Sequence, residues 1–281
     1  MVIREALHCC RDRLLQAGIE NGNFEARHIL AFVLGLSLSA LLLKAEEELS
    51  PAAEAQLEEL MQKRLSGIPM AYVLGTGEFF GRSFFVSSDV LIPRPETELL
   101  VEEALLRLPE KGRFFDLCTG SGCIGITLAA ERPDTCGVAC DLSEDALAVA
   151  TKNAADLQVT ERLKLVRHDL LSGMPDWGTA DVIVSNPPYI RTAVLKTLDA
   201  EVIDREPTMA LDGGGDGLDF YRVLATAADS LNEGGWLLME IGYDQKEDVE
   251  SLLKQTGRFS EIQTKKDYAG LDRMVLARRS K

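Results

Sequence analysis

A chain of 281 residues is long enough for one large domain or two ordinary ones, and 46% hydrophobic with 27% charged residues is a folded, globular composition. Thirty basic residues against 45 acidic ones leave a net charge of −15. A field of that sign opposes phosphate backbones and anionic membranes, so extended nucleic acid binding and membrane association are disfavoured and a basic partner is favoured. No amino-terminal stretch joins a basic start to a long apolar run, and the most apolar window, Ile29 to Leu43, is broken by Gly35 and two serines. Neither a secretory leader nor a membrane span is expected, and the compartment is the cytoplasm.

From Ile3 to about Leu65 the pattern is helical. Leu7, Leu14 and Leu15 recur at helical spacing, as do Ala26, Ile29, Leu30, Val33 and Leu34. Ser50-Pro51 is a helix start, an N-cap followed by proline in the first turn. That helix carries Leu57, Leu60, Met61 and Leu65 and stops at Gly67. Residues 1–68 therefore read as a small helical domain with no chemical motif of its own. Over residues 69–90 the character changes. Tyr72-Val73-Leu74, Glu78-Phe79-Phe80 and Ser83 to Val86 are β-rich pieces separated by glycines, which predicts a hairpin linker.

Residues 91–281 form the third section. Pro95 opens a helix, and Glu96 and Glu98 fall in its first turn, where the macrodipole favours them. Arg94 stands between prolines with no helical duty, which leaves two uses open, a carboxylate ligand or a nearby acid. Strands and helices then alternate. Strands are expected at Phe114–Cys118, Thr135–Cys140, Leu163–Val166, Asp181–Ser185, Gly235–Ile241, Phe259–Thr264 and Arg273–Ala277. Helices are expected at Cys123–Glu131, Ser143–Asp156, Leu218–Leu231 and Asp244–Leu253. This order predicts an α/β fold with a doubly wound, mostly parallel sheet of seven strands. Of the six cysteines, Cys118, Cys123, Cys136 and Cys140 match no metal spacing, so no metal is called for. All six read as reduced, buried thiols.

Three strand ends carry acids. The first βα turn, Asp116-Leu117-Cys118-Thr119-Gly120-Ser121-Gly122, brings backbone close to a ligand but lacks the basic residues of a phosphate loop. The second strand ends in Asp141, placed to accept from ribose hydroxyls, and the third leads into Asp169, placed to accept from an adenine amine. Sugar and base without phosphate fit S-adenosylmethionine. The fourth strand ends in Asn186-Pro187-Pro188-Tyr189. Two prolines remove two backbone donors, so the Asn186 side-chain oxygen and the Pro187 carbonyl form a two-acceptor trap for a planar NH2 group, with Tyr189 as a flat apolar wall.

These residues resemble the class I S-adenosylmethionine-dependent methyltransferases. More narrowly, the chain is similar to the HemK/PrmC family of release factor glutamine methyltransferases. Tyr72 to Gly75, Glu78 to Gly81, Ile92 to Glu98, Arg205 to Pro207, Ala210 to Gly214, Asp216 to Leu218 and Asp272-Arg273 support the likeness, which spans nearly the whole chain. The resemblance implies methyl transfer to the side-chain amide nitrogen of a Gly-Gly-Gln glutamine in a peptide chain release factor, by a monomer whose helical domain recognises that substrate. It implies that Cys118, Thr119, Gly120, Ser121 and Gly122 cradle the methionine part of the donor. Asp141 would bind the ribose, Asp169 and Leu170 would flank the adenine, and Asn186 would touch donor and acceptor. Asn186, Pro187, Pro188 and Tyr189 would hold the glutamine, with Asn186, Pro187 and Tyr189 carrying catalysis. The family has glycine where Cys118 stands, so a weaker or shifted donor contact is expected there. Two alternatives stay open, a nucleobase amino-methyltransferase and a donor-binding interaction protein.

Overall fold

The computed structural model describes residues 1–281 other than Leu198, Asp199 and Asp204, in two compact units, Met1–Gly75 and Thr76–Lys281. No helix among the described residues is long and apolar enough to cross a membrane.

The first unit is five helices, α1 (Ile3–Gln16), α2 (Gly22–Leu34), α3 (Leu38–Leu43), α4 (Pro51–Leu65) and α5 (Met70–Leu74). Ile3, Ala6, Cys10 and Leu14 follow one another at helical spacing and are buried along α1. Leu15, one residue further round, faces out. Ser50 opens α4 as the sequence predicts, its hydroxyl accepting from the Ala53 N–H at 3.2 Å. Glu25 of α2 and Arg64 of α4 form a buried fork, with Nε and Nη2 donating to the carboxylate at 2.6 and 3.1 Å. Tyr72-Val73-Leu74, expected as a β piece, is helical. Three β-favouring residues are a weak lever once Val73 is buried in the helical core and Gly75, left-handed at φ 67°, ends the turn.

The second unit opens with a hairpin, β1 (Thr76–Phe79) and β2 (Arg82–Phe85), whose two-residue turn Phe80-Gly81 is left-handed at both positions. Glu98, expected only to serve the helix dipole, also accepts from the Phe80 N–H at 2.8 Å and so ties the turn to α6 (Pro95–Leu105). The main sheet comes next: β3 (Arg113–Leu117), α7 (Cys123–Glu131), β4 (Cys136–Asp141), α8 (Glu144–Asp156), β5 (Leu163–Arg167) and β6 (Ala180–Ser185). After β6 come the single turns α9 (Thr192–Leu195) and α10 (Ala200–Ile203). Then come α11 (Asp219–Leu224), β7 (Leu231–Glu240), α12 (Lys246–Thr256), β8 (Phe259–Lys266) and β9 (Asp272–Arg279). The spatial order is β5-β4-β3-β6-β7-β9-β8, with β3 to β7 parallel and β9 antiparallel to both neighbours. This is the seven-stranded, mostly parallel sheet expected from the alternation of elements.

Alternate residues serve the two faces. Phe115, Leu117, Ile183 and Leu237 pack on one side, and Phe114, Val182, Val184 and Leu238 on the other. The helix expected over 218–231 is shorter, because β7 begins at Leu231. Asn232 donates to Asp181 (2.7 Å) and accepts from the Thr179 hydroxyl (2.6 Å), which extends the pairing with β6. Likewise α12 starts at Lys246 instead of Asp244. Gln245 folds back to accept from the Gly242 N–H (2.8 Å) and donates to the carbonyls of Tyr189 and Gly217, each at 3.0 Å. Cys9 and Cys136 are exposed, so not all six thiols are buried.

A strap beyond α10 backs the end of β6. Ile190 N–H donates to Leu211, and Gly213 N–H donates back to Ile190, each at 2.9 Å. A Cβ on Gly213 would lie 2.7 Å from the Tyr189 backbone and 2.8 Å from the Pro188 carbonyl oxygen, so only glycine permits this approach. Gly213→Ala is therefore expected to lower the stability of the second unit by about 1–3 kcal/mol through overpacking. Thermal and denaturant unfolding check this, and an unchanged midpoint would show that the strap yields.

Candidate active site

The carboxyl ends of β3, β4, β5 and β6 face one cavity of about 450 Å³, a volume suited to a nucleoside-sized ligand. At the end of β3 the chain turns through Cys118, Gly120 and Gly122, all left-handed (φ 62°, 54° and 82°). Asp116 braces this turn and does not reach the cavity. Its Oδ2 accepts from the Thr119 hydroxyl (2.5 Å) and the Gly125 N–H (2.9 Å), and the residue is fully buried. Burial pushes Asp116 up to about 7, against the pull of those two donors. The expectation of three ligand-facing acids therefore reduces to two. Asn153 of α8 holds the turn from behind, donating to the Ser121 carbonyl (2.9 Å) while its amide grips the Phe85 backbone of β2.

Cys118, Thr119, Gly120, Ser121, Asp141, Asp169, Leu170, Asn186 and Pro188 stand in the cavity wall. Gly122 caps α7 instead, and a Cβ there would strike Ile126. A Cβ on Gly120 would meet no protein atom, so its backbone is open to a ligand. Asp141 accepts from Gly120 N–H (2.9 Å) and Ser143 N–H (3.0 Å), which fixes the carboxylate while each oxygen keeps a lone pair for a hydroxyl. Asp169 uses Oδ1 on the Leu171 N–H (3.0 Å), and its Oδ2 accepts no hydrogen bond from the described residues. Asp89, Asp212 and Asp219 add to an acidic wall, and its arginine, Arg94, is paired with Glu206 at 2.5 Å. This settles the use of Arg94 in favour of a nearby acid, which draws the chain around Glu206 to the cavity edge. Carboxylates with oxygens to spare, open glycine backbone and excess negative charge fit S-adenosylmethionine, whose sulfonium and ammonium are cationic.

Asn186 sits where β6 ends. Its Nδ2 donates to the Thr97 hydroxyl (3.2 Å), and Thr97 in turn donates to Glu240 at 2.6 Å. The amide oxygen is thereby turned away from Thr97, and the Pro187 carbonyl receives no hydrogen bond from the described residues. Pro187 and Tyr189 are not in the cavity wall. The Tyr189 ring packs against the core and its hydroxyl reaches toward Glu240 at 3.4 Å, so it is not the flat apolar wall expected of it. Asn153, Glu240 and Gln245 carry no motif signal in the sequence, and Thr97 and Glu206 lie in stretches that carry the family likeness without showing what these two side chains do. Each works through a partner distant in the chain, which only the fold supplies.

Three thiols, Cys118, Cys123 and Cys140, also stand in the wall. Burial pushes Cys123 and Cys140 up to about 12 and Cys118 well above its ordinary value. Cys118 occupies a left-handed conformation, φ 62°, that costs a non-glycine residue about 1–2 kcal/mol.

Residues 5–75 match the family model described as the PrmC N-terminal domain, and residues 95–218 match the methyltransferase small domain. The chain is 42% identical over 274 residues to the release factor glutamine methyltransferase of Geobacter sulfurreducens, covering 97% of this chain and 95% of that one. It is 45% identical over 256 residues to the protein of the same name from Neisseria gonorrhoeae, covering 90% and 92%. Among solved structures, a methyltransferase from Pyrococcus furiosus shares the fold with a TM-score of 0.54 at 18% identity, over 82% of this chain and all of that one. A ribosomal protein L11 methylase from Lactobacillus delbrueckii gives 0.50 at 20% identity, over 70% and 84%. With full-length relatives at this identity, the chain belongs to the release factor glutamine methyltransferase family.

Proposed function

We propose that this chain transfers a methyl group from S-adenosylmethionine to the side-chain amide nitrogen of a glutamine in a peptide chain release factor. The observation that carries the reading is the Asn186 carboxamide, tied by its NH2 group to Thr97 and lining a donor-sized acidic cavity at the end of β6. Bound there, S-adenosylmethionine supplies a methyl group made electrophilic by its sulfonium. Asp141 is assigned to the ribose, Asp169 and Leu170 to the adenine, and the Cys118–Ser121 backbone to the methionine part.

A carboxamide nitrogen is a poor nucleophile because its lone pair is delocalised. The Asn186 oxygen and the Pro187 carbonyl accept the two N–H hydrogens of the glutamine, and that geometry aims the nitrogen lone pair at the methyl carbon. Positioning of this kind lowers a barrier by up to roughly 7–11 kcal/mol in well-oriented systems. As the N–C bond forms, positive charge grows on nitrogen, and the two acceptors stabilise it. The N-methylated amide cation is strongly acidic and loses its proton to water, so no base has to act beforehand. Pro188 and Tyr189 shape the corner, with Tyr189 anchored through Glu240 and Gln245.

Residues 1–68 are assigned to recognition of the release factor, with 69–90 as a hairpin linker and 91–281 as the catalytic part. The match of residues 5–75 to a model named for this family supports a separate amino-terminal domain, and both that match and the first compact unit end at residue 75. We further propose that the chain acts as a monomer in the cytoplasm and makes no extended nucleic acid contact, as a net charge of −15 favours.

Incubation with tritiated-methyl donor is expected to label a release factor and leave duplex DNA unlabelled. Label on the DNA, or on neither, would overturn the reading. Asn186→Ala is expected to bind the donor as wild type does while transfer falls by roughly 10²–10³, the size of effect seen when one preorganised polar group is removed. Unchanged turnover would remove Asn186 from the mechanism. Asp141→Ala takes away a carboxylate and its grip on Gly120, so donor affinity measured by calorimetry is expected to weaken by about 10–100-fold.

A further inference from the structure

We infer that Thr97 and Glu240 are positioning residues that lock the Asn186 carboxamide with its oxygen toward the acceptor; the inference rests on Asn186 holding the glutamine NH2 group. Three hydrogen-bonding facts carry it. A hydroxyl has one proton to donate, and Thr97 gives its proton to Glu240 Oε2 at 2.6 Å. Toward Asn186 the Thr97 oxygen is left with lone pairs only. The 3.2 Å contact therefore requires the NH2 group of Asn186, and a flipped amide would set two acceptors face to face. The direction of the whole chain originates at Glu240, whose two oxygens face the Thr97 and Tyr189 hydroxyls as acceptors.

The anchors themselves cannot swing. Thr97 lies in the first turn of α6, just after the N-terminal Pro95, and is buried. Glu240 is buried at the end of β7, its second oxygen facing the Tyr189 hydroxyl and its backbone carbonyl accepting from the Tyr221 hydroxyl at 2.8 Å. Burial raises the Glu240 pKa, while Thr97, Tyr189 and the Arg273 guanidinium favour its ionised form. The cavity wall includes Thr97 but not Glu240, so the carboxylate acts on the acceptor only through Thr97 and Asn186.

The test uses the full chain labelled with 15N-asparagine. With five asparagines in the sequence, the amide pair of residue 186 is assigned by its loss in Asn186→Ala. In wild type, those two protons are expected to exchange slowly with solvent. Thr97→Val keeps the shape but removes the acceptor, and exchange is expected to quicken at least about tenfold. Glu240→Gln, which adds a donor at the carboxyl position, is expected to quicken it as well. In the methyl-transfer assay the kcat of Thr97→Val is expected to fall about tenfold or more with the KM for the donor unchanged, and Thr97→Ser is expected to restore both readouts. Equal exchange in wild type and Thr97→Val, or quickened exchange with unchanged kcat, overturns the inference. Should wild type label no release factor, the functional reading fails, while the exchange measurement still decides whether the lock exists. Thr97→Ser and Glu240→Gln provide the comparison if Thr97→Val does not fold.

Discussion

Pairing of β3 with β6 is the constraint on which the site depends. The chain builds β3, β4 and β5 outward in one direction, then returns to lay β6 on the other side of β3 and continue to β7. Connections from neighbouring strands diverge at that reversal, and the crevice between them is where ligands bind in open α/β sheets. The glycine turn and the Asn186 corner are ends of adjacent strands in register, Leu117 beside Ser185. The Ser185 hydroxyl donates to the Leu117 carbonyl at 2.7 Å, which adds a side-chain link at the join. The residues assigned to the donor, at the ends of β3, β4 and β5, and those assigned to the acceptor, at the end of β6, thus meet through strand order.

Around this crevice the acids divide by labour. Asp141 and Asp169 keep oxygens free for a ligand, while Asp116 and Glu240 turn inward and hold backbone or side chains in place. A buried carboxylate is costly unless its partners are donors. Asp116 meets a hydroxyl and a backbone N–H. Glu240 meets two hydroxyls and has Arg273 nearby. The turns that face the ligands therefore stand on groups that never touch them. Gly213 extends the same logic to the far side of Asn186, where backbone packs directly on backbone.

Much of this arrangement is legible in the sequence, and the reason is local. Alternating apolar strands and helices announce the sheet, Ser50-Pro51 and Ser143 announce helix starts, and the turns at Gly120 and Asn186 carry residue types that few other tasks need. The misreadings share a cause as well. Tyr72 to Leu74 has strand propensity but is overruled by burial of Val73 in a helical core. Leu218 to Leu231 has helical periodicity but is cut short by the pairing that Asn232 makes with Asp181. Tyr189 is aromatic beside a site, yet its hydroxyl is drawn inward by Glu240. Thr97 and Glu240 lie 143 residues apart, and no spacing rule joins them.

The cysteines in the wall acquire a different meaning once an alkylating agent occupies the cavity. A thiolate is a far better nucleophile than a carboxamide, and Cys118, Cys123 and Cys140 line the cavity to which the methyl donor is assigned. Only the thiolate form competes, and the pKa of each of the three thiols is pushed up, away from that form, chiefly by burial. The same burial that packs these side chains into the wall thus also disfavours the form in which they could compete for a methyl group.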